Sequence, residues 1–187
     1  AALLGQRDVP AALPGASPED FRTAFLRADC SWANGRAAEA LEVLDSIPDD
    51  PQRADGAAGA TTTVKSLLSD GLRALCAGDL EKAYTGYAQA CAELSVETDL
   101  SSCDEDHDLA IFCAERAVNI AFWQACAGKM LSAAKPISAF VESKPFAGGV
   151  LGFAHHMVGD SVVAEEIARK AIAKGHSDPW TLHAVAH

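Results

Sequence analysis

The chain has 187 residues, 49% of them hydrophobic but only 6% aromatic, and its formal net charge is −11. This length suits one domain or one short solenoid, and a core built mainly from alanine favours closely packed helices over a β-sandwich. Because the charge repels phosphate backbones and anionic lipid, we expect no nucleic acid partner and no membrane insertion. No apolar run is long enough to predict a membrane span.

The first predicted element is an extended N-terminal segment, residues 1–16, after which helical periodicity runs to the end of the chain. Ser17 and Pro18 are typical of a helix cap and a first helical residue. We predict helices at 18–33, 36–46, 62–77, 79–95, 106–127, 129–142, 146–158, 160–174 and 179–187. Loops near 48–61 and 96–105 interrupt them, and no segment alternates with a period of two, so we predict no β-sheet.

The last predicted helix has a start signal but no stop signal. Asp178 and Pro179 repeat the cap and the proline, whereas nothing at His187 ends the helix. A stack of helical repeats needs a polar capping element at each end. We therefore expect the solenoid at 17–187 to be incomplete at its C-terminus, and the chain to be the N-terminal part of a longer protein.

Four glycines indicate an internal repeat, because each lies between two predicted helices and has an alanine five residues later. A glycine that ends one helix, followed by a small residue where two helices touch, is what a packed helical hairpin requires. The pairs are Gly35 and Ala40, Gly78 and Ala83, Gly128 and Ala133, and Gly159 and Ala164. We predict an all-α fold of helical hairpins stacked as an α-solenoid.

Two parts of the sequence resemble known repeat proteins. The first part is similar to the second helix of a tetratricopeptide repeat. It consists of Gly78-Asp79-Leu80-Glu81-Lys82-Ala83, followed by Tyr87 and Ala90. The second resembles the tetratricopeptide repeat protein 38 family and consists of Gly152-Phe153-Ala154, Gly159-Asp160, Ala164-Glu165 and Asp178-Pro179-Trp180-Thr181-Leu182-His183-Ala184-Val185-Ala186-His187.

This resemblance is clearest over 78–187, and it implies that the hairpins are tetratricopeptide-like and stack as a right-handed α-solenoid within a longer chain. It supplies no reaction, and we expect no cofactor. The glycine spacings of 43, 50 and 31 depart from the regular period of about 34 in tetratricopeptide repeats. Long helices or inserted loops must therefore separate the hairpins.

Two pairs of histidines are the candidates for metal chemistry. His183 and His187 lie four residues apart on one helical face, a spacing that can hold a metal, although the glutamate of the His-Glu-x-x-His motif is absent. His155 and His156, on a neighbouring predicted helix, supply a further candidate ligand. The alternative is that all four are buried hydrogen-bonding residues that fix helix packing, and this reading is favoured because so short a motif often matches by chance.

The other chemistry-bearing residues favour structural roles. The acidic cluster at 103–108 lacks the glycine and the ligand spacing of an EF-hand loop, and no motif pairs a serine or cysteine with a histidine. The scattered cysteines lie in apolar helical stripes, which is typical of reduced thiols in a cytoplasmic protein. We expect close helix packing at Gly148, Gly149 and Gly152, and core positions for Trp32, Trp123 and Trp180. The alternative is that Tyr84 or Trp180 lines a concave surface.

Together these patterns predict a non-catalytic protein–protein interaction scaffold or adaptor in the cytoplasm, or a subunit of a larger assembly, whose partners are other proteins. The alternative is a metal-binding or small-ligand-binding protein, or an enzyme, that uses the helix face of His183 and His187. One tightly held metal ion per chain would favour the alternative.

Overall fold

A computed structural model describes residues 20–47, 63–96, 104–175 and 178–186. Every regular element in these ranges is a helix, so the predicted all-α class is confirmed. The helices are α1 (Phe21–Ala33), α2 (Ala37–Ser46), α3 (Val64–Ala77), α4 (Leu80–Val96), α5 (Asp104–Trp123), α6 (Ala127–Ala134), α7 (Pro145–Met157), α8 (Ser161–Ala173) and α9 (Pro179–Ala186), with a 3₁₀ segment at Lys135–Phe140. None of the described helices is both long and apolar enough to cross a bilayer.

Several predictions fall on residues that the structure does not describe. These are the extended segment 1–16, the cap at Ser17, nearly all of both predicted loops, and the side chain of His187. The first described helix begins at Phe21, and its cap is Asp20, whose carboxylate accepts a hydrogen bond from the backbone N–H of Thr23 at 3.0 Å. This hydrogen bond lowers the pKa of Asp20.

The chain divides into two compact units, Ala1–Asp79 and Leu80–His187. In the first unit α1 packs on α2, and both helices contact α3. Phe25 and Leu72 are fully buried there, and Arg73 of α3 forms an ion pair with Asp45 at the end of α2 at 2.6 Å. The unit boundary falls directly after Asp79, so the two helices on either side of Gly78 belong to different units.

In the second unit each helix packs on the next in the chain from α4 to α9, and α9 also lies against α7. The contact between α4 and α5 includes the rings of Tyr87 and Phe112, which meet edge to face with their centroids 6.5 Å apart. One face of α5 consists of fully buried small residues at helical spacing, namely Ala110, Cys113, Ala114, Ala117 and Ala121. Ala83 and Ala90 of α4 are fully buried as well. Buried small residues such as these let neighbouring helix backbones approach closely.

Three of the four predicted glycine turns have the backbone that the prediction requires. Gly35, Gly78 and Gly159 have φ angles of 78°, 78° and 90°, in the left-handed region that glycine adopts without steric cost. At each turn the glycine N–H bonds to the carbonyl three residues back, and the next N–H bonds to the carbonyl five residues back. This is the hydrogen-bond pattern of a Schellman helix end.

The prediction of a turn at Gly128 is wrong, because Gly128 lies inside α6. The turn is at Ala125, which has a positive φ of 54° although it is not glycine. Its N–H bonds to Phe122 O and the N–H of Cys126 bonds to Ala121 O, both at 2.9 Å, as at the three glycine turns. The helix predicted at 106–127 therefore ends at Trp123.

The corrected turn gives a consistent register. The fifth residue after each left-handed position is fully buried, and these residues are Ala40, Ala83, Met130 and Ala164. The third one is methionine, so a small side chain is not required at every turn. Ala133, the residue that the sequence analysis pairs with Gly128, is also buried, and it lies one helical turn after Met130 in α6. The last two turns, at Ala125 and Gly159, are 34 residues apart.

The helix predicted at 129–142 is divided by Pro136. The α-helical part ends at Ala134, and the chain continues as the 3₁₀ segment with Pro136 in its first turn. Proline has no backbone N–H, so it cannot donate to the carbonyl of Ser132 as a continuing α-helix would require. The tighter winding still buries Ile137 and Phe140 in the core.

The glycines of α7 allow close packing against α8 and α9, as predicted. A Cβ atom on Gly148 would lie 3.3 Å from the Ala171 Cβ atom of α8, and one on Gly152 would lie 3.3 Å from the Ala164 carbonyl oxygen. At Gly149 a Cβ would lie 2.5 Å from Thr181 Oγ1 and 2.8 Å from Asp178 Oδ1. The Asp178 carboxylate caps α9 by accepting hydrogen bonds from the N–H groups of Trp180 and Thr181.

We expect Ala125→Gly to raise the free energy of unfolding by about 1 kcal/mol, because glycine removes the steric cost of the left-handed backbone. Gly159→Ala is the matched control in the same turn type, and it should lower stability by a similar amount. Urea denaturation measures both. A loss of stability in Ala125→Gly would show that the turn is not left-handed at this position.

We expect Gly149→Ala to lower the free energy of unfolding by about 1–3 kcal/mol, since its methyl group overlaps the cap of α9. Gly128→Ala is the control, because a Cβ there has no neighbour within 4 Å and alanine favours the helix interior. It should gain up to about 1 kcal/mol. Equal effects of the two substitutions in thermal melts would contradict the close contact between α7 and α9.

Candidate functional site

The structure brings together two of the predicted histidines and separates a third. The rings of His156 on α7 and His183 on α9 meet edge to face, with their centroids 5.7 Å apart. His155 lies apart from this pair, because its Nδ1 atom is 3.3 Å from Asp160 Oδ2 across the turn at Gly159. Within the described ranges, no group of three or more His, Cys, Asp or Glu side chains is placed to hold a metal ion.

The predicted acidic cluster has structural contacts wherever it is described. The ring of His107 stacks on Phe140 with 4.4 Å between centroids, and Asp108 forms an ion pair with Lys144 at 2.8 Å.

The buried thiol of Cys91 is not suited to act as a nucleophile. Burial raises its pKa to about 11, so it is protonated and unreactive at neutral pH.

A feature that the sequence analysis missed lies on α5, on the side opposite its small-residue face. At 100° per residue, six side chains fall within about 60° of one line along this helix. We call them the α5 stripe, and they are Phe112, Glu115, Arg116, Asn119, Phe122 and Trp123. The stripe is aromatic at both ends and polar in the middle.

The polar middle of the α5 stripe is buried. Arg116 is only 2% exposed, and its guanidinium carbon lies 5.3 Å from the centre of the Phe112 ring. Glu115 and Asn119 are each 6% exposed. The Nδ2 atom of Asn119 is buried and has no hydrogen-bond partner in the part of the chain that the structure describes. A buried donor without a partner costs about 1–3 kcal/mol.

The C-terminal end of the α5 stripe is open to solvent. Phe122 is 45% exposed and Trp123 is 46% exposed, so the prediction that Trp123 is a core residue is wrong. The reason is the turn at Ala125, which ends α5 there and leaves its last turn only partly covered. Trp32 and Trp180 are half-buried.

One of these two exposed rings, that of Phe122, joins a cluster of rings on α7 and α9. Phe153, which is buried, lies 5.9 Å from Phe122, 4.7 Å from Trp180 and 5.1 Å from His183 between ring centroids. We call Phe122, Trp123, Phe153, Trp180 and His183 the aromatic patch. Large exposed rings around a buried aromatic floor are typical of protein interaction surfaces, where aromatic side chains are enriched.

No family model, curated protein or solved structure matches this chain. The resemblance to the tetratricopeptide repeat protein 38 family is therefore an expectation from the sequence, and the physical case for a function rests on the α5 stripe and the aromatic patch.

We expect Asn119→Leu to raise the free energy of unfolding by about 1 kcal/mol, since leucine has a similar volume and leaves no buried donor without a partner. Asn119→Asp should lower it, because a buried carboxylate replaces the amide. Guanidinium denaturation of the intact chain measures both. A large loss of stability in Asn119→Leu would mean that the amide is bonded within the fold.

Proposed function

We propose that this protein is a non-catalytic protein–protein interaction scaffold or adaptor, built from tetratricopeptide-like helical hairpins. The exposed aromatic patch is the observation that carries the proposal. A scaffold of packed helices holds these rings at fixed positions, so that a partner can bind without ordering them first. Aromatic side chains are also the residues most enriched among binding hot spots.

The repeat geometry supports a solenoid of the tetratricopeptide type. Two observations favour it, the shared Schellman turn and the buried fifth residue after each turn. The distances between successive turns are 43, 47 and 34 residues, and only the last equals the tetratricopeptide period. Function in such folds lies in the surface rather than in a reaction. In this proposal the partners are proteins, and the chain acts in the cytoplasm alone or as a subunit of an assembly.

The metal-binding alternative has weaker support. It has the close approach of His156 and His183 in its favour, but no carboxylate or thiol in the described ranges completes a site of three ligands around them. Catalytic zinc sites usually have three protein ligands. We therefore favour the interaction surface.

We expect a photo-crosslinking amino acid at position 123 to form discrete protein adducts in cells that express the chain naturally. Position 162 is the control, because Val162 is 82% exposed and lies outside the aromatic patch. Adducts at 123 should disappear when Phe122→Ser is added, since this change removes the exposed ring of the adjacent residue in α5. No adduct at 123, or the same adducts at 123 and 162, would contradict an interaction role for the aromatic patch.

A further inference from the structure

The turn between α1 and α2 contains a dipeptide with reactive chemistry. Asn34 and Gly35 follow one another at the end of α1, and both are exposed to solvent. A peptide nitrogen can attack the Cγ atom of a preceding asparagine, and glycine favours this attack because it has no side chain to hinder the approach. The sequence has one other asparagine, Asn119, which is buried in α5 and followed by the branched side chain of Ile120. Asn34 is therefore the asparagine placed to react.

Hydrogen bonds hold Asn34 and Gly35 away from the reactive geometry. The Nδ2 atom of Asn34 donates to the Cys30 carbonyl oxygen at 2.8 Å, which fixes the side-chain amide at the last turn of α1. The N–H of Gly35 donates to the Trp32 carbonyl oxygen, also at 2.8 Å. Asn34 has a ψ angle of 13°, so the Gly35 nitrogen points away from the Asn34 side chain. The nitrogen can reach Cγ only after the turn opens and this angle changes.

Opening of this turn is a local event. Asn34, Gly35 and Arg36 are all exposed, so the turn can open without uncovering the apolar core between the helices. Exposed helix ends open at a much lower free energy than the core of a domain. The folded chain should therefore adopt the reactive geometry for a small fraction of the time.

We propose that Asn34 is a deamidation site whose reaction rate is limited by the Schellman turn at the end of α1. When the turn opens, the Gly35 nitrogen loses its proton to water or hydroxide and attacks Asn34 Cγ. The side-chain amide nitrogen takes a proton from water and leaves as ammonia. Water then hydrolyses the cyclic imide at either carbonyl, which gives aspartate or isoaspartate. This inference goes beyond the proposed interaction function and does not depend on it.

The product places a negative charge where the fold disfavours one. A carboxylate at position 34 cannot donate a hydrogen bond to the Cys30 carbonyl oxygen. It also lies at the C-terminal end of α1, which has a partial negative charge of its own. Isoaspartate in addition inserts a methylene group into the backbone of the turn. Deamidation is therefore a one-way change that weakens the end of α1.

Peptide mapping by mass spectrometry measures the reaction in the full chain at neutral pH, and a synthetic peptide with the sequence of residues 31–37 is the unstructured reference. We expect the folded chain to deamidate about 10–100-fold more slowly than the peptide, because the turn must open first. In urea that unfolds the chain, the two rates should become equal. Asn119 is the internal control and should keep its amide in the folded chain.

Variants test the position and the consequence. Asn34→Asp reproduces one of the two products and should lower the melting temperature by about 2–4 °C. Asn34→Ser is the matched control, because it removes the amide without adding a charge. It should lower the melting temperature less than Asn34→Asp does, and it should abolish the mass increase that accompanies deamidation.

Three outcomes would overturn the proposal. They are a rate in the folded chain equal to that of the peptide, full retention of Asn34 in a chain held just below its melting temperature while the peptide reacts, and an unchanged mass increase in Asn34→Ser. A melting temperature of Asn34→Asp equal to that of the unmodified chain would refute the effect of the product on α1.

Discussion

Close contact between helix backbones is the constraint on which the rest of this structure depends. It is most pronounced in the second unit, where one face of α5 consists of fully buried small residues, and where Gly148, Gly149 and Gly152 of α7 lie against α8 and α9. Tight packing of this kind has little tolerance for added volume, because a densely packed interior cannot absorb an extra methyl group without moving a neighbour. It also lets a chain with few aromatic residues bury a continuous core.

The two sides of α5 differ in composition although both are largely buried. One side consists of small residues, and the larger and more polar residues lie on the opposite side, where they form the α5 stripe and where Phe112 meets Tyr87 of α4. Natural proteins retain a buried amide without a partner at a cost in stability, and such local conflicts with the fold are expected at functional positions. Asn119 is such a position, because its buried amide lacks a hydrogen-bond partner in the described structure and lies one helical turn before Phe122 and Trp123.

Much of the fold could be predicted from the sequence, because apolar periodicity is a direct consequence of helix burial. The helix cap at Asp178 and the left-handed turns at Gly35, Gly78 and Gly159 have the residue types that favour these conformations, so both could be predicted. Ala125 has no such signal, because alanine rarely adopts a positive φ. Gly128, three residues later, has the residue type of a turn and therefore leads to the wrong prediction. The break at Pro136 could have been anticipated from the missing N–H alone.

The candidate site was harder to predict, for a different physical reason. Glu115, Arg116 and Asn119 have the composition of a solvated helix face, and only the packing of the whole unit shows that they are buried. The apolar stripe predicts a core position for Trp123, because the stripe does not indicate where the helix ends. A sequence signal did exist in the six-residue pattern from Phe112 to Trp123, which places charged and aromatic residues on one helical side.

Ala168→Leu, compared with Ala173→Leu, tests the close packing most directly. Ala168 is fully buried in α8, and its Cβ would lie 3.8 Å from a Cβ on Gly152, whereas Ala173 is exposed on the same helix. Equilibrium denaturation should show a loss of about 2 kcal/mol or more for Ala168→Leu and a change within about 0.5 kcal/mol for Ala173→Leu. Equal stability of the two variants would contradict tight contact between these helices.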